Sequence, residues 1–120
     1  LDVIEEEGLI ERAEMIGAKV EARWTELQQG VAMGVFGDIR RVGAMAAVEL
    51  VKEGDPNHPN GEAAAAIQLK ARELGLIFLT AGKKANVLRT HIPLTIKEAI
   101  LEEGLDLFAK ATEEVLGETK

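Results

Sequence analysis

"LIFLTAGKKANVLRTHI", residues 76–92, decides how this chain is wound. Two apolar runs, LIFLT at 76–80 and VLRTHI at 87–92, are bounded by Gly75 and Pro93 and joined by AGKKAN. A parallel crossover needs about a dozen residues or more, so a connection this short predicts antiparallel neighbours. LIFLT is short and wholly apolar, which predicts a buried strand. In VLRTHI, Val87, Arg89 and His91 share one face while Leu88, Thr90 and Ile92 share the other. An arginine in mid-strand is the feature that needs a reason.

Past Pro93, which stops the strand, Thr95 and Glu98 stand in the T-x-x-E spacing of a capping box. They predict a helix whose apolar stripe is Ile96, Ile100, Leu107, Ala111 and Val115. Upstream, Ala64, Ile67, Ala71 and Leu74 predict a helix from about Gly61, capped by Asn60 and ended by Gly75. KEGDPNHPNGE, residues 52–62, is rich in Pro, Asn and Gly and predicts a surface loop. DIRRVGAMAAVELV, residues 38–51, predicts a strand pair or one long strand, with Gly43 marking a bulge or a close backbone approach.

The first helix is predicted over Leu9 to Leu27, where Leu9, Ala13, Ile16, Val20, Trp24 and Leu27 make one face. Gly8 is expected to separate it from Leu1 to Glu7, read as the end of a preceding helix, and Gly30 to supply its left-handed terminator. Gly17 inside it should cost about 1 kcal/mol relative to Ala. The order is helix, strand or strands, helix, strand, strand, helix. The fold class expected is α+β, a small, mostly antiparallel sheet with helices packed on one face, forming a single domain over 1–120. The apolar and acidic opening at Leu1, without an initiator Met, suggests a segment of a larger protein.

With 120 residues, 47% of them apolar, the chain can build one compact core and not two. A net charge of −7 with three Phe and one Trp argues against a nucleic-acid surface. No apolar stretch approaches the roughly 20 residues of a membrane-spanning helix, so no membrane partner is expected and the protein is read as soluble and cytoplasmic. The sequence contains no Cys, Ser or Tyr, which removes thiol and serine nucleophiles, disulfides and Cys-based zinc sites. His58 and His91 lie far apart without metal-ligand spacing, and no metal site is expected. The acidic clusters Glu5 to Glu7, Glu102–Glu103 and Glu113–Glu114 read as solvated helix faces. GVFGDIRRVG lacks the order of a phosphate-cradling glycine loop. No lysine lies in a run that would desolvate it for Schiff-base chemistry, and Lys83 and Lys84 sit at a turn.

Two readings of Arg89 follow from the residues alone. It is matched across the sheet by an acid such as Glu49, or it is a planar fork on a rigid strand that grips a carboxylate from outside. A free-standing ligand-binding or dimerisation module is the competing reading of the whole chain.

GDIRRVGAMAAVEL, the Pro/Asn loop, KARELGLIFLTAG and NVLRTHIPLTIKEAILEEGLDLF, in that order, resemble the C-terminal small domain of class-III pyridoxal-phosphate aminotransferases, most closely those acting on 4-aminobutyrate. The likeness runs from LDVIEEEGLIERA to about Val115. It implies a large domain, outside this chain, that carries the Schiff-base lysine, the phosphate-binding loop and the aspartate on the pyridine nitrogen. Pyridoxal 5'-phosphate would be bound there, so this chain alone would be inactive. The resemblance further implies that Arg89 binds the carboxylate of an amino acid or of 2-oxoglutarate, that the domain closes the active site, and that the full-length protein is a homo-oligomer. It leaves ornithine and acetylornithine aminotransferases and amino-acid racemases as alternatives. Two departures stand out. Arg41 follows the matching Arg40 where the family often has a small residue, and GKKA, residues 82–85, replaces a frequent Gly-Pro-Tyr. Apolar surface near Val87 and Phe78 is expected to need covering.

Overall fold

The computed structural model describes residues 3–76 and 78–117, with side-chain surroundings from Gly8 onward. Its order is α1 (Val3–Gln29), β1 (Phe36–Val42), β2 (Met45–Lys52), β3 (Asp55–Pro59), α2 (Gly61–Glu73), β4 (Leu79–Ala81), β5 (Val87–His91) and α3 (Glu98–Gly117). The strands form an antiparallel sheet in the order β1-β2-β5-β4, with β3 paired to the end of β2. The α+β class and the antiparallel pairing of the two runs in 76–92 are as expected.

The apolar stripe of α1 buries Ile16, Val20, Trp24 and Leu27 against the sheet, each side chain contributing about 1.5–3 kcal/mol. Two expectations for this helix fail. Gly8 does not divide it, because one glycine costs only about 1 kcal/mol and is flanked here by good helix formers. Residues 3–7 therefore continue the same helix instead of ending another, while Leu1 and Asp2 lie outside the described residues. Gly30 is not left-handed. The chain leaves α1 through hydrogen bonds from the Gly30 and Ala32 amides to the Leu27 carbonyl, and the left-handed glycine is Gly34, at φ 81°.

Residues 38–51 make the strand pair, turning at Gly43 (φ 57°) between Val42 and Met45. The close approach expected at Gly43 is real and its partner is Gly17, where a Cβ would lie 1.9 Å from the Gly43 carbonyl oxygen. Gly17 thus lets α1 lie directly on the hairpin. The irregularity in the β1–β2 pairing lies elsewhere, between Phe36 and Ile39.

The segment 52–62 is not all loop. Glu53 and Gly54, at φ 53° and 72°, form a two-residue turn of the kind that matches strand twist, and Asp55–Pro59 pairs back onto β2. Its prolines fit a short ribbon at the margin of a sheet, where amide donors are dispensable. Asn60 caps α2 as expected, its side-chain oxygen accepting from the Ala63 amide at 3.0 Å, and Gly75 follows at φ 99°.

LIFLT is not a buried strand. Its strand portion, Leu79–Ala81, is short and lies at the sheet edge; Phe78 enters the core while Leu79 is 56% exposed, and Ile77 lies outside the described residues. Phe78 joins Trp24, Phe36 and Phe108 in one aromatic cluster, with ring centroids 4.8 Å from Phe108 and 6.3 Å from Trp24. The apolar surface left on the outer face of the sheet is therefore Leu79 and Val42, not Phe78.

α3 is turned by about one residue from its predicted stripe. Leu101, Leu105, Phe108, Ala111, Thr112 and Leu116 are buried, whereas Ile100 is 53% exposed. Phe108, the largest apolar side chain of this helix, sets the orientation by filling the space beside Trp24. The capping box does not form: α3 starts at Glu98, whose carboxylate is taken by Lys19 of α1. Arg12 of α1 instead secures the preceding turn by donating to the carbonyls of Leu94 and Ile96. No helix among the described residues is long and apolar enough to cross a membrane.

Candidate functional site on the open face of the sheet

Strand alternation divides the sheet cleanly. Ala46, Val48 and Leu50 of β2 and Leu88 of β5 point into the core, which leaves Met45, Ala47 and Glu49, and Val87, Arg89 and His91, on the opposite face. Arg89 sits between two paired strands, opposite Ala47 on β2 and Leu79 on β4. Its backbone is fixed by ladder bonds on both sides while its side chain is exposed. Among the described residues, none forms an ion pair or hydrogen bond with its guanidinium, and Glu49 stands opposite Val87 without pairing to it. The internal ion pair is thus not made.

A hollow of about 500 Å³ opens beside Arg89, lined by Met45, Leu79, Thr90 and His91. A hollow of similar volume between α1 and β1 is lined by Glu21, Glu26 and Asp38 among others and offers no cation to an anionic ligand. A third, smaller hollow of about 210 Å³ is bordered by Arg40, Arg41 and Met45.

β5 is seated by Asn86. This side chain is 8% exposed and donates through Nδ2 to the Leu50 carbonyl at 3.0 Å, while the Leu50 amide donates to the Asn86 carbonyl at 2.7 Å. Sequence reasoning missed Asn86 as a positioning residue, although a lone Asn directly before a strand of apolar alternation was the available signal.

Other charges serve the structure. Lys19 meets Glu98 and Glu102, Arg23 meets Glu102 and Asp106, and Lys70 meets Glu114, tying the helices together. Arg41, the departure noted above, lies on the core side of β1 and crosses Gly17 to reach Glu14 at 2.8 Å. His58 pairs with Asp55 at 2.8 Å, and no group of three metal-ligating side chains occurs among the described residues.

The described lysines are each exposed or matched by a carboxylate. A Schiff-base amine must shed its proton readily, which needs desolvation or a neighbouring cation. Lys19 and Lys70, the two half-buried ones, go the other way: hydrogen bonds to Glu98 and to Glu114 hold their pKa above the ordinary 10.5. Lys52, Lys83, Lys84, Lys97 and Lys110 are exposed.

The short antiparallel sheet thus carries helices on one face and, on the other, an arginine without a partner among the described residues. The family model for aminotransferase class-III matches residues 1–112, and the chain belongs to that family, whose members depend on pyridoxal phosphate. Among its relatives, a probable 4-aminobutyrate aminotransferase of Bacillus subtilis (strain 168) is 48% identical over 107 residues, covering 89% of this chain and 24% of the relative. The 5-aminovalerate aminotransferase of Pseudomonas aeruginosa is 41% identical over 96% of this chain and 26% of its own length. A Bacillus anthracis aminotransferase structure superposes with a TM-score of 0.78 at 26% identity, over 93% of this chain and 26% of that one. The chain thus spans about a quarter of the length of the relatives it matches.

Proposed function

We propose that this chain is the small, closing domain of a cytoplasmic pyridoxal-phosphate-dependent aminotransferase that moves an amino group from 4-aminobutyrate, or a related omega-amino acid, to 2-oxoglutarate. Arg89 is its carboxylate-binding residue. The observation that carries this reading is a guanidinium without a partner among the described residues, fixed on a doubly paired strand beside an open hollow. A planar fork held this way accepts a carboxylate in bidentate fashion, and orienting the substrate's carboxylate fixes where its reacting carbon lies. The family membership and the relatives named for 4-aminobutyrate and 5-aminovalerate support the amino-donor class.

The cofactor and the lysine that carries it belong, on this reading, to a large domain outside this chain. The chain by itself is then inactive, and the working enzyme is the full-length protein, assembled as a homo-oligomer. Ornithine-type donors or racemisation are the alternatives within the family, and a donor panel separates them. The reading is tested in the full-length enzyme with Arg89→Ala. The KM for 2-oxoglutarate should rise about ten- to hundredfold, the loss of a charge-assisted contact, while absorbance of the bound cofactor is unchanged. An unaltered KM removes Arg89 from substrate binding.

A further inference from the structure

We infer that the seam between α1 and α3 holds a binding site for a small, neutral, largely apolar molecule carrying one hydrogen-bond acceptor, which the indole N–H of Trp24 receives. The site lies on the core side of the sheet and stands apart from the role of Arg89.

An apolar cavity of about 130 Å³ lies there, walled by Val20 and Trp24 of α1, Leu105 and Phe108 of α3, and Phe78 and Ile92 from the sheet side. Apolar cavities of about 150 Å³ stay free of water and take up ligands the size of benzene. Ile100, also on the wall, is 53% exposed, so the cavity reaches the surface. Its walls resist closing. Along the same seam Lys19 meets Glu98 and Glu102, Arg23 meets Glu102 and Asp106, and the Trp24 and Phe108 rings touch with centroids 5.1 Å apart, which together set the spacing of the two helices.

Two side chains on this wall point to an occupant. Trp24 is 1% exposed, yet its indole N–H meets no acceptor among the described residues, a state that buried polar groups normally avoid. A buried water usually makes about three hydrogen bonds, whereas the polar side-chain groups on the described wall are this N–H and the Thr90 hydroxyl. A ligand with a single acceptor needs only the first. Gly104 is the other. It stands inside α3, where glycine is a poor helix former, and outside its own helix a Cβ there would meet nothing nearer than Leu76 Cδ2 at 3.7 Å, an ordinary contact. Gly17, by contrast, is demanded by the Gly43 carbonyl oxygen, 1.9 Å from where its Cβ would stand. No described neighbour calls for glycine at 104, and the space it leaves belongs to the cavity.

The test uses the full-length enzyme and two probes of nearly equal shape, tetrahydropyran with an ether oxygen and cyclohexane without one, both inert toward amino-group transfer. Both should bind saturably, tetrahydropyran the tighter. Only tetrahydropyran should move the Trp24 Nε1–H resonance downfield in a nitrogen–proton correlation spectrum, the signal being identified by its loss in Trp24→Phe. Trp24→Phe should weaken tetrahydropyran about three- to tenfold, the loss of one neutral hydrogen bond, and leave cyclohexane within about twofold. Gly104→Ala should fold at least as stably and weaken both probes by about threefold or more, because its methyl takes part of the space. Absence of saturable binding, which is also the result if another part of the full-length chain fills the cavity, overturns the inference. A tetrahydropyran affinity unaltered in Trp24→Phe, or probe binding that Gly104→Ala leaves unchanged, overturns it as well.

Discussion

Asn86 and Leu50 hold each other by hydrogen bonds that run in opposite directions, main-chain amide to main-chain carbonyl one way at 2.7 Å and side-chain amide to carbonyl the other at 3.0 Å. The pair pins the start of β5 to the far end of β2. Arg89 follows on the same strand, opposite Ala47 of β2.

Asn86→Ala removes the side-chain half of this lock. The Leu50 carbonyl keeps its bond from the Asn60 amide, so the cost should be moderate, about 1–2 kcal/mol, read as a lowered urea midpoint. Asn86→Asp should cost more, because it buries a charge beside a carbonyl. Equal stability of the two variants would show that the side chain is not held as described.

Much of this architecture is legible in the sequence. The period-2 alternation of VLRTHI puts Leu88 inside and Arg89 outside without any structure, and Asn60 and Gly75 mark the ends of α2 by chemistry that is purely local. What the sequence hides is set by distant contacts. Gly8 looks like a break until α1 is seen to run through it. The stripe of α3 is ambiguous because apolar residues cover a broad arc of that helix, and Phe108 chooses among them only by meeting Trp24. Glu98 matches a capping box in spacing but is claimed by Lys19, nearly 80 residues away in sequence (|i−j| 79). The cavity between α1 and α3 exists only once both helices lie on the sheet.

Gly17→Ala sets a local gain against a distant clash. The alanine would improve helix propensity by about 1 kcal/mol, yet its methyl would lie 1.9 Å from the Gly43 carbonyl oxygen and against the Arg41 stem. The Arg41 stem can swing aside but the Gly43 carbonyl is backbone and cannot, so the net change should be a loss of roughly 1–3 kcal/mol, measurable by chemical denaturation. A stabilised variant would mean that α1 does not lie on the hairpin.

The acid limb of stability should depend on Glu98. The hydrogen bond from Lys19, then the charge of Lys19, holds the Glu98 carboxyl below its ordinary 4.5, with desolvation opposing and Arg12 adding a smaller share. A carboxyl whose folded pKa is lowered stabilises the fold fully above its unfolded value and loses that contribution as pH falls through the folded one. Lys19 is raised above 10.5 by the same contact, so its share is present below that value and is lost as pH rises through the raised one. Glu98→Gln should therefore show a deficit at neutral pH that vanishes in acid below 4.5. A deficit of equal size in acid and at neutrality would rule out the Lys19 contact as its source.

Trp24 is the only indole in a chain that has no tyrosine, and it is 1% exposed at the centre of the aromatic cluster. Excitation at the red edge of the near ultraviolet thus reports from a single, solvent-shielded point shared by α1, α3 and the approach to β4. Its emission is a built-in gauge of whether these layers stay closed, and it needs no attached dye.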